Sequence, residues 1–353
     1  MLYLDDTTRK IKDARSAHLK AVNCFIGKRA FNVICGVAGC QVCAEDITYL
    51  PGLPQALLDR LADPVSLNEI IVGKPLHLIR ISNELWDELV PHFSWTSFDD
   101  YRKARRKKAD KRNAAERQLV TSYDPAMVAL KGTFDYANWF NNGADKKRYD
   151  AYGLAFLLDR NTCTYCNRIY TNTMKDKKNG KVMRPQFDHW FAKSKHPALA
   201  LSFYNLIPSC SVCNSSIKGT LEFELGTHLH PYVDADCQNT FQYSYDYSRS
   251  LQQYHIKVKT GYAAVKVETT LRDLKLKEVY NAHYAELDDL IKTKEAYTTK
   301  YISNMLSNYP GARLSFKEVY RLAFGAEFDE ADFHKKPLSK FKKDILRELK
   351  LIP

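Results

Sequence analysis

Two C-x2-C pairs constrain this chain more than any other feature: "CTYC" at Cys163 and Cys166, and "CSVC" at Cys210 and Cys213, with 43 residues between them. Each pair can pinch one metal ion from a knuckle-like turn. Two knuckles complete a closed tetrahedral thiolate site of the structural zinc kind. A redox dithiol is one rival, but a reactive C-x2-C usually occurs once, near a βαβ unit. Four unliganded buried thiols are the other. The paired spacing favours zinc. A site closed in this way has no open position for water, so any catalysis must come from other residues.

The residues between and just after the pairs supply candidates. "QFDHW" places Asp188 and His189 together at the end of an expected strand, and Asn214 directly follows Cys213. Adjacent strand residues point to opposite faces; where a strand end curls into a loop, both can line one cleft. A carboxylate suits a hard cation such as magnesium, and a neutral imidazole suits a general base near neutral pH. The amide oxygen of Asn214 can complete the protein ligands of that second metal. The knuckle at Cys210 and Cys213 then fixes the first turn of the helix that carries Asn214.

At 353 residues and 45% hydrophobic content, the chain is long enough for a sizeable core. Three parts are expected. Residues 1–130 read as mostly helical after the first 50: "LPQALLDRLADPVSLNEII" and "ISNELWDELVPHF" space apolar residues three and four apart. Residues 131–235 hold the chemistry. There "KKRYDAYGLAFLL" reads as a helix, "RIYTNTM" and "KVMRPQFDHW" as two strands joined by "KDKKNG" with a tight turn at Asn179–Gly180, and "SCSVCNSSIK" as a short helix closed by Gly219. Residues 236–353 begin with two alternating strands, "FQYSYDY" and "YHIKVK". One long helix should follow through Leu276, Tyr280, His283, Leu287, Leu290 and Ile291, broken at Pro310–Gly311, with shorter helices after it. The fold class is α+β: a mainly helical protein around a central zinc-clamped core, with a small sheet and helices at the C-terminal end.

The net charge of +12 favours a polyanionic partner such as nucleic acid. "YRKARRKKADKR", residues 101–112, holds eight basic residues and one acidic one. It is either a solvated helix face or a nucleic-acid or partner contact, with Arg105, Arg106 and Lys107 as its candidate phosphate ligands. The start lacks the apolar core of a signal peptide, and no run of about 18 apolar residues exists, so no membrane span and a cytoplasmic location are expected. Disulfides are not expected in such a chain. Cys40 and Cys43 form a third C-x2-C, with Cys24 and Cys35 upstream. A second zinc is one reading, but the apolar "FNVICGVAGC" favours buried thiols.

The run "CTYCNRIY…FDHW…LALSFYNLIPSCSVCNSSIKG" resembles the HNH endonuclease family, whose core is a ββα-metal fold. The resemblance covers roughly residues 145–235. It is nearest to the HNH nuclease subunits of Septu-type anti-phage defence systems and their retron-linked relatives. "HWFAKSKHP" departs from that pattern around the lysine and the following proline, which leaves the role of His196 open. The resemblance implies a magnesium- or manganese-dependent phosphodiesterase. In it His189 is the base, Asp188 and Asn214 hold the catalytic metal, and Asn205 orients His189 by a hydrogen bond. Lys193, Lys195 and Lys218 are implied as phosphate contacts. Such relatives often work with an ATPase subunit, and this sequence contains no G-x-x-x-x-G-K-[ST] phosphate loop of its own. The competing reading is a catalytically inactive, zinc-stabilised module that binds nucleic acid or protein. Nothing in the sequence chooses DNA over RNA.

Overall fold

A computed structural model describes residues 1–141, 149–176, 180–261, 265–296, 304 and 314–353. They form a mixed fold of helices and small two-stranded antiparallel sheets. The chain divides into two compact units. One unit is residues 9–157 with 189–206. The other is residues 1–8, 158–188 and 207–353.

The first unit is helical: α1 (Arg9–Phe31), α2 (Gln55–Ala62), α3 (Pro64–Val72), α4 (Pro75–Leu89), α5 (Trp95–Arg106), α6 (Ala114–Thr133), a π-helical turn Tyr136–Asn141, and α7 (Ala151–Leu158). Local chemistry sets these limits. The Asp63 carboxylate accepts from the amides of Val65 and Ser66, and Pro64 opens α3, so one apolar run becomes two helices. Asn113 and Glu116 form a capping box at the start of α6. In α4 the buried Leu78, Ile81, Ser82, Leu85 and Trp86 recur every three or four residues. Trp86 packs on Phe98, and Tyr101 stacks on Tyr123 with ring centroids 5.0 Å apart.

The segment 189–206 belongs to this unit through buried polar contacts. His18 Nε2 lies 2.7 Å from the Leu201 carbonyl, Ser82 Oγ lies 2.9 Å from His196 Nδ1, and Trp86 Nε1 donates to the Lys195 carbonyl at 3.1 Å. His196 is thus a buried anchor, with Trp95 tilted against its ring. Trp190 and Phe191 are core residues, as expected.

The second unit contains β1 (Met174–Asp176) and β2 (Gly180–Met183), then all but the last residue of β3 (Gln186–His189), paired with β4 (Leu206–Ser209), of which it holds all but the first. "KVMRPQFDHW" is therefore two strands, not one. Pro185 has no amide hydrogen to give a ladder and restricts Arg184 before it. The expected Asn179 turn and the first residues of "KKRYD" lie outside the described residues, as does the expected break at Pro310–Gly311. The segment after Cys210 is a π-helix, Val212–Lys218, ended by Gly219 at φ 48° with its amide bonded to the Asn214 carbonyl.

Strands β5 (Phe241–Ser248) and β6 (Gln253–Thr260) pair in one continuous antiparallel register, Phe241 opposite Thr260 and Ser248 opposite Gln253. Burial alternates at the Phe241 end and fades toward the turn, where Tyr247 is exposed. α8 (Val265–Asp273), α9 (Leu276–Asn281), α10 (Tyr284–Ala296) and the helices Phe316–Phe324 and Ser339–Glu348 complete the unit. The single long helix expected through His283 is broken there. Arg168 Nη1 takes the Val279 carbonyl at 2.9 Å, and the His283 amide bonds to Tyr280 in place of the helical acceptor.

Candidate metal centre and acid–base residues

The two knuckles share one backbone bond and differ in which sulfur takes an amide. In the first, the Asn167 amide bonds to the Cys163 carbonyl at 2.8 Å and the Arg168 amide donates to Cys166 Sγ at 3.5 Å. In the second, the Asn214 amide bonds to the Cys210 carbonyl at 3.0 Å and the Cys213 amide donates to Cys210 Sγ at 3.4 Å. All four thiols are buried, with their sulfurs within 4.8 Å of one another. A tetrahedron with zinc–sulfur bonds of about 2.3 Å has edges of about 3.8 Å, so the cluster could hold zinc. Hydrogen bonds from Cys163, Cys210 and Cys213 pull the Cys166 thiol well below the usual range, while burial pushes Cys163 well above it.

Asn167 was not singled out by spacing. Its backbone sits at φ 51°, a conformation Asn tolerates better than most residues. Its Nδ2 donates to Thr162 Oγ1, the Phe333 carbonyl and the Lys336 carbonyl, and its own carbonyl accepts from Leu338. The asparagine after the second cysteine thus ties the first knuckle to the C-terminal segment. Tyr280 adds a bond to the Cys166 carbonyl at 2.6 Å.

Asp188 lies in this unit and is only 3% exposed. Lys218 Nζ donates to its Oδ1 at 3.0 Å and the Tyr165 hydroxyl to its Oδ2. Tyr165 sits between the two cysteines of the first knuckle and Lys218 ends the helix that follows the second, so both knuckles reach this carboxylate. Asn214 gives its amide nitrogen to Gln186 Oε1 at 2.9 Å, so its oxygen is the atom left to bind a cation. His228 stacks on Phe223 and pairs with Asp273 at 3.1 Å, a structural role.

In the helical unit, His189 is buried. Its Nε2 lies 3.0 Å from the Ala200 carbonyl, and Tyr136 meets its ring edge to face at 4.4 Å. A carbonyl can only accept, so Nε2 carries the hydrogen and Nδ1 is the basic nitrogen of the neutral ring. The partner that sets the tautomer is therefore Ala200. Asn205 does something other than the expected bond to the imidazole. Its Oδ1 accepts from the Phe191 amide at 2.6 Å, and its Nδ2 donates to the carbonyls of Phe191 and Leu199, at 3.2 and 2.9 Å. It closes the loop that follows His189. Asn205→Ala removes three buried bonds and strands the Phe191 amide, so a stability loss of about 2–4 kcal/mol is expected, read as a lower denaturant midpoint.

Tyr136 and Ala200 also line a cavity of about 470 Å³ with Arg29, Lys131 and Lys193. Lys193 Nζ sits 5.1 Å from the Tyr136 ring centroid. Desolvation first, then the Lys131 charge, lowers the Lys193 ammonium below its ordinary value. Asp135 lines the same cavity and pairs with Arg29 at 3.9 Å, so the excess of positive charge comes from Lys131 and Lys193, and it favours an anion. Lys195 instead stacks on Trp95 at 4.8 Å.

Part of the basic stretch is compensated locally. Arg105 pairs with Asp124 at 2.8 Å and Lys107 with Glu116 at 2.5 Å, both on α6. Arg112 donates to the Ala104 and Lys107 carbonyls. Ion pairs this exposed contribute little to stability. Arg106 ends α5 and is exposed.

The apolar stretch around Cys35 departs from its expected burial. Cys35 is exposed, Cys40 and Cys43 are half-buried, and only Cys24 is buried. These four sulfurs also lie within 4.8 Å of one another, so the described residues contain two tetracysteine groups that could hold zinc. Among the described residues, no helix is long and apolar enough to cross a membrane.

No protein-family model matches the chain, and no solved structure matches it. Among curated proteins, the chain is similar to the Septu protein PtuB of Bacillus thuringiensis, with 27% identity over 157 residues. The match covers 44% of this chain and 52% of that protein, so the chain spans about half the length of its curated relative. What the comparison supports is a distant relationship to a Septu protein.

Proposed function

We propose that the chain is a metal-dependent HNH endonuclease that hydrolyses nucleic-acid phosphodiesters in anti-phage defence, together with a partner subunit of a defence complex. The observation that carries this reading is Asp188. It is a carboxylate fixed by groups from both cysteine knuckles, one residue before a histidine with a defined tautomer. The relationship to a Septu protein supports the defence role.

The donor set fits a hard divalent cation. A carboxylate with an amide oxygen suits magnesium or manganese, and Lys218 Nζ, now on Oδ1, would have to give way to the ion. Asp188 and Asn214 would hold that ion, which supplies positive charge to a phosphate and its leaving oxygen. The remaining work falls to the chain. His189 Nδ1 accepts a proton from water, and the Ala200 carbonyl steadies the imidazolium that forms, through its bond to Nε2–H. Lys193 and Lys131 attract the phosphate backbone. Asn205 holds the loop that carries the base.

One observation favours the second reading, a non-catalytic zinc-stabilised binding module. Lys218 and Tyr165 occupy both oxygens of Asp188 and satisfy it without a metal. Lys218→Met separates the two. Leaving Asp188 buried and unpaired costs about 3–5 kcal/mol. In magnesium-free buffer the variant should therefore melt well below the native protein. If Asp188 is a metal ligand, millimolar magnesium should restore most of that loss and support cleavage of a DNA or RNA substrate by the native chain. A melting temperature indifferent to magnesium, with no cleavage of either nucleic acid, favours the module.

A further inference from the structure

The second tetracysteine group is made by a helix and a loop. Cys24 lies on α1, and Cys35, Cys40 and Cys43 lie on the segment that follows it. Cys24 Sγ is 3.0 Å from Cys43 Sγ and 3.6 Å from Cys40 Sγ, and Cys43 Sγ is 3.4 Å from Cys35 Sγ. The Cys40–Cys43 pair repeats the backbone of the other two knuckles. The amide after its second cysteine, Ala44, bonds to the carbonyl of its first, Cys40, at 3.2 Å, as Asn167 does to Cys163 and Asn214 to Cys210. An amide also points at sulfur here, from Cys35 to Cys43 Sγ at 3.2 Å. Gly36 and Gly39, at φ 72° and 73°, turn the chain between the ligands.

Apolar burial holds little of this loop: Val42 is buried, but its other large apolar side chains are not. Val33, Ile34 and Val37 are 57%, 64% and 67% exposed. Polar ties also join it to α1, such as Lys28 Nζ to the Cys43 carbonyl at 2.8 Å. Four converging sulfurs in a segment that buries so little apolar surface have one common physical explanation, a bound cation that links them.

We propose that Cys24, Cys35, Cys40 and Cys43 hold a second structural zinc ion that pins this loop to α1, and that this zinc is the more labile of the two. Its ligands include an exposed and two half-buried cysteines, whereas those of the other cluster are all buried. A chelator reaches the exposed sulfurs first. The inference concerns metal content and stands or falls apart from the nuclease reading.

Zinc content of the purified full-length chain tests it. Elemental analysis should find two zinc ions in the native protein and one in the Cys35→Ser, Cys40→Ser variant. Challenge with a metallochromic chelator should release zinc in a fast and a slow step, and that variant should lack only the fast one. Cys35→His, which keeps a ligand, should keep both ions and covers the case in which the serine variant misfolds. Alkylation of the unreduced, denatured and chelated native protein should label all four of these thiols. A native zinc content of one that the double variant does not lower overturns the proposal, as does finding these cysteines paired as disulfides. Release in a single step overturns the assignment of lability.

Discussion

Replacing His189 by alanine is expected to abolish metal-dependent cleavage while leaving zinc content unchanged. General-base assistance is worth about 10²- to 10⁴-fold in rate, and no second imidazole is assigned to that task. The structural cost should be small beside this. The ring's bond to the Ala200 carbonyl is worth about 1 kcal/mol. Single-turnover cleavage, zinc analysis and a melting curve on the same preparation distinguish the cases. A variant that cuts at the native rate removes His189 from the mechanism. A variant that has lost zinc or unfolded shows the histidine to be structural. The contrast with Asn205→Ala is informative, because that substitution should act first on stability.

Replacing Cys210 by serine should have the larger effect on the protein itself. Structural zinc sites contribute on the order of 10–16 kcal/mol of apparent binding energy in small zinc-finger peptides, which is folding energy. Whole domains are stable by only about 5–15 kcal/mol. Losing this ligand removes a clamp that both knuckles share and leaves three buried thiols around an incomplete site. The variant should be recovered with one zinc fewer and should fail to give a cooperative melt of the unit containing residues 158–188 and 207–353. Cys237→Ala is the matched control. Cys237 is also buried but belongs to neither cysteine group, so its loss should leave only a small cavity and no change in zinc. Native zinc content and melting in Cys210→Ser would show that the cluster is not a metal site.

Local patterns were legible where one residue's chemistry settles the local outcome. The paired C-x2-C spacing predicted that Cys163, Cys166, Cys210 and Cys213 converge, because a two-residue gap already forms the turn that aims two sulfurs at one point. The alternation of Phe241, Tyr243 and Ile256 predicted the β5–β6 pair, because a strand's faces repeat every two residues. The helical spacing in α4 predicted its buried face in the same way.

Other features depended on partners that lie far away in the sequence. His283 reads as mid-helix until Arg168, more than a hundred residues earlier, takes the carbonyl the helix needs. Asn205 has the composition of a residue that orients a histidine, but the carbonyls and amide that surround it direct its side chain to the backbone of Phe191 and Leu199. Cys24 was one candidate among upstream cysteines, but only the fold brings it, on α1, within 3.6 Å of Cys40 Sγ. The sequence by itself determined the repeat of two cysteine knuckles and the order Asp188, His189, Asn205, Asn214, because covalent spacing and local turns suffice for these. Only the tertiary structure decided which groups each side chain meets, since hydrogen bonds and ion pairs form with whatever the folded chain brings within about 3 Å.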